Sequence, residues 1–262
     1  MKIKLIFSML LLMFCFGTSQ AEIPTDMILR QHDENLRVVR VQLQLLDLGI
    51  YNGLVHGQYD QRTEAAVKIF QHRKGLVSDG LAGPMTMAVL DQATENSLFL
   101  LFLHTTASRE VQYFTGEQVA LMHTLPRAKG GRGWSRPGYS DVFRLDGIVD
   151  NIRDWDSDDN ISEREYTFGV LGTTLLNRNA RHACYVGGLD KDGKTTKDTR
   201  TPHQLAAMET YVKFNLLRKR NLVIAGHNQV QIKDCPCFDV PDWCRSIGIP
   251  EKNIAQWGKM FT

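Results

Sequence analysis

Two apolar runs of strand length constrain this chain more than any other feature: "LFLLFLH" at residues 98–104 and "NLVIAGH" at residues 221–227. Neither alternates with polar residues, so a strand built from either has two faces to keep from water. An α/β arrangement meets that demand, because helices then cover both faces of the sheet. The intervening sequence supplies the parts. A helix is expected over residues 115–125, "TGEQVALMHTL", and a strand with a turn at "SDVFRLDGIV". "HACYVGGL" reads as a further buried strand. Thr201, Pro202 and Gln204 make a helix start, with a capping hydroxyl and a Gln three residues on. Leu205, Met208, Val212 and Leu216 would give that helix one apolar stripe. Strands alternating with helices over roughly 165 residues make an α/β unit.

Both runs end at a histidine, His104 and His227, where a rigid strand hands over to a loop. Cys235 follows His227 by eight residues within "GHNQVQIKDCPCFDV". Two imidazoles and a thiolate fill three places of a tetrahedral zinc site and leave the fourth for water. The spacing by itself is a weak signal, because eight histidines offer many such triples.

The first residues have another purpose. Lys2 and Lys4 precede an apolar run at residues 5–16, and Ser19 and Ala21 stand at −3 and −1 before Glu22. That is the layout of a secretory signal peptide over residues 1–21. The run is shorter than the ~20 residues of a membrane span, and Cys15 lacks the small preceding residues of a lipidation site. A periplasmic or secreted monomer, free of the membrane after cleavage, is expected. A formal net charge of +2 gives no case for nucleic-acid binding. Four cysteines remain in the mature chain: Cys184, Cys235, Cys237 and Cys244. They could form two disulfides, or a metal thiolate and one bridge.

Residues 36–92 form a separate pattern. "HGQYDQRTEAAV" aligns with "DGLAGPMTMAV" when Thr63 is laid on Thr86, which matches Gly57 to Gly80 and Ala65 to Ala88. Each copy reads as a Gly turn followed by a Thr that caps a helix. Val38, Val39, Leu43, Leu45 and Leu46 lie at helical spacing in a preceding helix, and Ala65, Ala66, Val67, Ile69 and Phe70 would add to the core. A three-helix unit results. On "LGIYNGLVHGQYDQRTEAAVKIFQHRKGL" and "DGLAGPMTMAVL" it resembles the peptidoglycan-binding domain appended to bacterial wall hydrolases. His56 and Asp60 depart from the usual Asp and Gly of that pattern.

Residues 97–258 resemble the zinc-dependent N-acetylmuramoyl-L-alanine amidases of the bacteriophage-lysozyme and peptidoglycan-recognition-protein family. The pieces that carry this are "FLHTTAS", "GWSRPGYSDVFRLDG", "CYVGGLDKDGK", "TPHQLAAM" and "AGHNQVQIKDCPCFD", in family order. The resemblance implies a mixed central sheet flanked by helices. It implies Zn²⁺ held by His104, His227 and Cys235, with Tyr139 and Lys233 as catalytic residues. The implied substrate is the amide joining N-acetylmuramic acid to the L-alanine of the stem peptide. Two other readings are a peptidoglycan receptor that does not cut, and a zinc peptidase acting within the stem peptide. Noncatalytic relatives usually lack the cysteine ligand, which this chain has at Cys235.

Lesser candidates complete the inventory. His123 is expected to pack within its helix, His203 to be solvated, and Cys184 to be a small core residue. His182 could touch substrate, and Trp134 could line the groove or pack. Cys237 and Cys244, seven apart, could be a disulfide or free thiols. Residues 154–165, "DWDSDDNISERE", place Asp at positions 1, 3 and 5 and Glu at 12 of a calcium loop, but Asp159 stands where glycine is wanted. A solvated acidic loop is expected there.

Overall fold

A computed structural model describes residues 27–156, 158–170 and 174–258. The signal peptide expected over residues 1–21 lies outside them. Among the described residues no helix is long and apolar enough to cross a membrane.

Three helices come first: α1 (Leu36–Asp47), α2 (Gln61–Arg73) and α3 (Pro84–Ala93). Val38, Val39, Leu43, Leu45 and Leu46 are all buried, as their spacing requires. Of the expected α2 core, Ala66, Val67 and Phe70 are buried, while Ala65 and Ile69 lie on the exposed side. The repeat is real but its threonines do not cap. Asp60 caps α2 by accepting from the Thr63 amide, and Gly83 stands at the cap of α3 with Pro84 following. Thr63 and Thr86 sit one turn in, buried, each taking a hydrogen bond from a glutamine of the preceding helix: Gln42 at 2.9 Å and Gln71 at 3.1 Å. The same glutamines accept from the turn glycines, Gln42 from Gly57 and Gln71 from Gly80, both at 2.9 Å. Each copy is thus a buried amide that ties a turn to the next helix. Removing one, as in Gln42→Leu, leaves buried polar groups unpaired and is expected to lower stability by about 1–3 kcal/mol in urea unfolding.

The rest is built on a five-stranded mixed sheet, and its strands follow in chain order. They are β1 (Leu100–Thr105), β3 (Asp141–Phe143), β4 (Val149–Asn151), β5 (Ala180–Tyr185) and β7 (Val223–Gly226), arranged β4-β3-β5-β1-β7. Only β4 runs antiparallel, as the second arm of the expected turn. A two-stranded ladder pairs β2 (Ser108–Arg109) with β6 (Gly188–Leu189). Helices α4 (Gly116–Thr124), α5 (Thr174–Asn177), α6 (Pro202–Arg218) and α7 (Val240–Ser246) complete the unit. The start of α6 is the expected capping box of Thr201 and Gln204. Gln204 is buried and also donates to the carbonyls of Phe143 and Val186, locking the helix to the sheet. Met208 and Val212 are buried on its stripe, whereas Leu205 is 36% exposed and is not part of it.

β1 is buried at all six positions. Leu101 and Leu103 pack with Met208, Val212 and Trp243 of α6 and α7. Leu100 and Phe102 point the other way, into a cluster with Val38, Leu45, Val67 and Phe70 of the first three helices. The three-helix unit therefore shares in covering one sheet face, together with Leu176, Val230 and Trp257. Polar contacts reinforce the seam: Lys219 pairs with Asp47 at 2.8 Å, and Asn179 donates to the carbonyls of Thr94 and Ser97, both at 2.8 Å. A chain starting at residue 95 is accordingly expected to expose that face, bind a hydrophobic dye and lose its sharp melt. A cooperative melt equal to that of the full chain would contradict the shared core.

Candidate metal and active site

Parallel pairing brings the two apolar runs side by side. β1 pairs with β7 so that Leu103 lies opposite Gly226, which puts His104 and His227 at neighbouring strand ends. His227 opens a 3-10 turn directly after β7. The loop that follows returns Cys235 to the same place through a cis Cys235–Pro236 peptide, and Tyr185 holds it by donating to the Pro236 carbonyl at 2.8 Å. Gly226 is needed where the loop folds back, because a Cβ there would stand 2.5 Å from Asn228 Oδ1 and 3.0 Å from Val240.

His104 Nδ1 lies 3.1 Å from His227 Nδ1 and 3.8 Å from Cys235 Sγ. One donor atom from each of the three residues falls within 4.8 Å of the others, and no other such group of His, Cys, Asp or Glu occurs among the described residues. The outer nitrogens are engaged: His227 Nε2 with Gln231 Oε1 at 2.8 Å, and His104 Nε2 with His182 Nδ1 at 3.0 Å. With protons given outward, two imidazole lone pairs and a sulfur converge on one point. A soft-to-borderline cation fits that donor set.

Burial sets the protonation of the cluster. It holds His104 well below the ordinary histidine range and His227 at about 4, so both rings are neutral, as ligands must be. Burial also pushes the Cys235 thiol up to about 12, against the opposing effect of the Thr105 amide, which donates to Sγ at 3.3 Å.

Tyr139 lies beside this cluster, its ring centroid 5.1 Å from that of His104 and its hydroxyl donating to the Thr105 carbonyl at 3.4 Å. Burial raises its phenol well above 10, so it stays a proton donor. His123 supports it edge-on at 5.1 Å, stacks on Trp134 at 4.7 Å and accepts from the Gly138 amide at 3.1 Å. It is a packed histidine, as expected, and Trp134 has a packing partner in it. Lys233 is exposed and lines a surface hollow of about 340 Å³ with Thr196, Asn228, Asp234 and Cys237. Its charge is felt at both His104 and His227.

The remaining candidates fall elsewhere. His182 is completely buried behind His104, so the substrate contact that was open to it in the sequence is not available. Its contact with His104 was the feature sequence reading missed; the signal was a histidine inside a buried strand adjacent to β1. Cys184 is core, His203 is exposed, and Cys237 and Cys244 are free thiols. In the acidic loop, the Glu165 carboxylate is turned onto the loop's own backbone, accepting from the Asp156 and Ser162 amides at 3.3 and 2.8 Å.

Residues 34–90 match the family model described as "Putative peptidoglycan binding domain". Over 157 residues the chain is 26% identical to the endolysin of Escherichia phage T7, covering 60% of this chain and 92% of that protein. The amidase CwlM of Mycobacterium tuberculosis is 31% identical over 105 residues, 40% of this chain and 23% of that one. The solved amidase LysC of Clostridium intestinale is 18% identical across 59% of this chain and 88% of its own, with a TM-score of 0.41.

The protonation states of the His104, His227 and Cys235 cluster give a measurable expectation. At pH 7 the imidazoles already lack the extra proton, whereas the Cys235 thiol still carries the proton it must lose to bind, so a divalent ion should release about one proton, from Cys235. Calorimetric titration in buffers of different ionisation enthalpy reads that number. Release of two or three protons would mean that the histidines are charged in the free protein.

Proposed function

We propose that this protein is an exported zinc hydrolase that cleaves the amide between N-acetylmuramic acid and L-alanine in bacterial cell-wall peptidoglycan. The convergence of His104, His227 and Cys235 carries the reading, and the endolysin and amidase relatives with the matched wall-binding segment support it. Residues 36–92 would hold wall, residues 97–258 would cut it, and residues 1–21 would send the chain across the membrane.

His104 and His227 through Nδ1 and Cys235 through Sγ would hold Zn²⁺. Bound zinc supplies a water of lowered pKa and polarises the scissile carbonyl. The protein groups do the rest. Tyr139, kept protonated by burial, offers its hydroxyl to the oxygen on which negative charge develops, and to a substrate or water held beside His104. Lys233, exposed at a surface hollow, brings its ammonium to the same edge and stabilises that oxyanion. The buried wall of β1 behind His104 keeps bulk water off one side of the site.

Digestion of purified sacculi with metal-loaded and chelator-treated protein tests this. Free stem peptides with intact glycan strands, lost on chelation, are expected. Cuts within the peptides would make the protein a stem-peptide peptidase, and binding without products would make it a receptor. Cys235→Ser should abolish release while the folded protein still pellets with sacculi. Tyr139→Phe and Lys233→Ala should each lower kcat by about 10²–10³-fold if their donors act on the oxyanion.

A further inference from the structure

His182 belongs to neither the cleft nor the ligand set, yet it touches a ligand. We propose that His182 is a positioning residue that fixes the ring orientation and tautomer of His104 through the His104 Nε2–His182 Nδ1 hydrogen bond. The inference rests on the metal-site reading above.

A neutral imidazole carries one proton, so His104 can offer Nδ1 to a cation only when Nε2 is protonated. Nε2 faces His182 Nδ1 at 3.0 Å, which can accept that proton's hydrogen bond. Gln231 Oε1 does the same for His227 at 2.8 Å, so both ligands have their outer N–H engaged and their Nδ1 turned inward. An acceptor behind a ligand histidine orients the ring and raises its basicity. In most such arrangements a carboxylate or carbonyl would serve, but a neutral ring does so here without placing a charge in the core.

His182 is itself held fast. Its main chain is tied to β3's neighbour, with its amide donating to Ser140 Oγ at 3.2 Å and its carbonyl accepting from the Ser140 amide at 2.7 Å. Phe102, two residues before His104 on the same face of β1, stacks on its ring at 5.4 Å and 14°. Gly169 packs against the Nδ1 edge of the ring so closely that a Cβ there would stand 2.0 Å from Nδ1. A ring with 0% exposure, clamped in this way, cannot contact substrate and cannot turn its Nδ1 away from His104.

The test reads metal binding rather than turnover. Zn²⁺ affinity is measured by chelator competition, and the Co²⁺ ligand-field spectrum recorded, on the full chain and its variants. His182→Leu should weaken Zn²⁺ binding about tenfold to a hundredfold and shift the Co²⁺ bands. His182→Asn, whose Oδ1 can stand where Nδ1 stands, should keep both close to wild type. If the leucine variant does not fold, His182→Ala carries the same comparison. Wild-type affinity in the variant lacking the acceptor would overturn the proposal, as would equal losses in it and His182→Asn at an unchanged melting temperature. Wild-type chain that binds neither metal, or binds them undiminished after Cys235→Ser, would instead remove the metal site itself.

Discussion

Everything in the second unit depends on burying β1 from both sides. Its side chains alternate between two cores, Leu101 and Leu103 toward α6 and α7, Leu100 and Phe102 toward the three leading helices. Pairing with β5 and β7 on its two edges then satisfies its backbone. A strand so enclosed has no freedom to slip, because a shift of one residue would exchange its two faces. His104 inherits that rigidity as the next residue of the alternation. The carboxyl ends of parallel strands lie on one side of the sheet, which is why His104 and His227 meet although 123 residues separate them.

The His104, His227 and Cys235 cluster uses that rigidity asymmetrically. Two of its side chains come from strand ends and one from a loop, and the loop is the part that needs local devices. Gly226, Pro236 and Tyr185 bring Cys235 into reach, and the Thr105 amide meets its sulfur. Burial then works in opposite directions on the donors. It keeps the imidazoles neutral and ready, and it keeps the thiol protonated until a cation competes for the sulfur.

The leading helices have two relations to the rest. Their own fold is carried by the repeated glutamine clamps of Gln42 and Gln71, which are polar, buried and fully engaged. Their outer surface toward the sheet is apolar and completes the core behind Phe102, and Phe102 stacks on His182. The leading helices and the unit that carries the His104, His227 and Cys235 cluster thus share hydrophobic interior, and a disturbance in one can reach His104 in the other through two aromatic rings.

Much of this was legible in residue order. The unbroken apolar runs demanded an α/β sheet, the capping signals at Thr201 and Gln204 marked α6, and the helical spacing of Val38 to Leu46 marked α1. These are local patterns, set by periodicity and by backbone groups within a turn of the signal. The roles of Thr63 and Thr86 were misread because a threonine one turn inside a helix looks like a cap until the glutamine that reaches it from another helix is placed. His104, His227 and Cys235 could be named from motifs, but their 4.8 Å convergence, the burial that neutralises the rings and the histidine standing behind His104 belong to tertiary structure. So does the shared core. The sequence determined which segments must hide from water; only the folded chain decided which segments hide one another, because apolar burial has no direction until strand pairing supplies one.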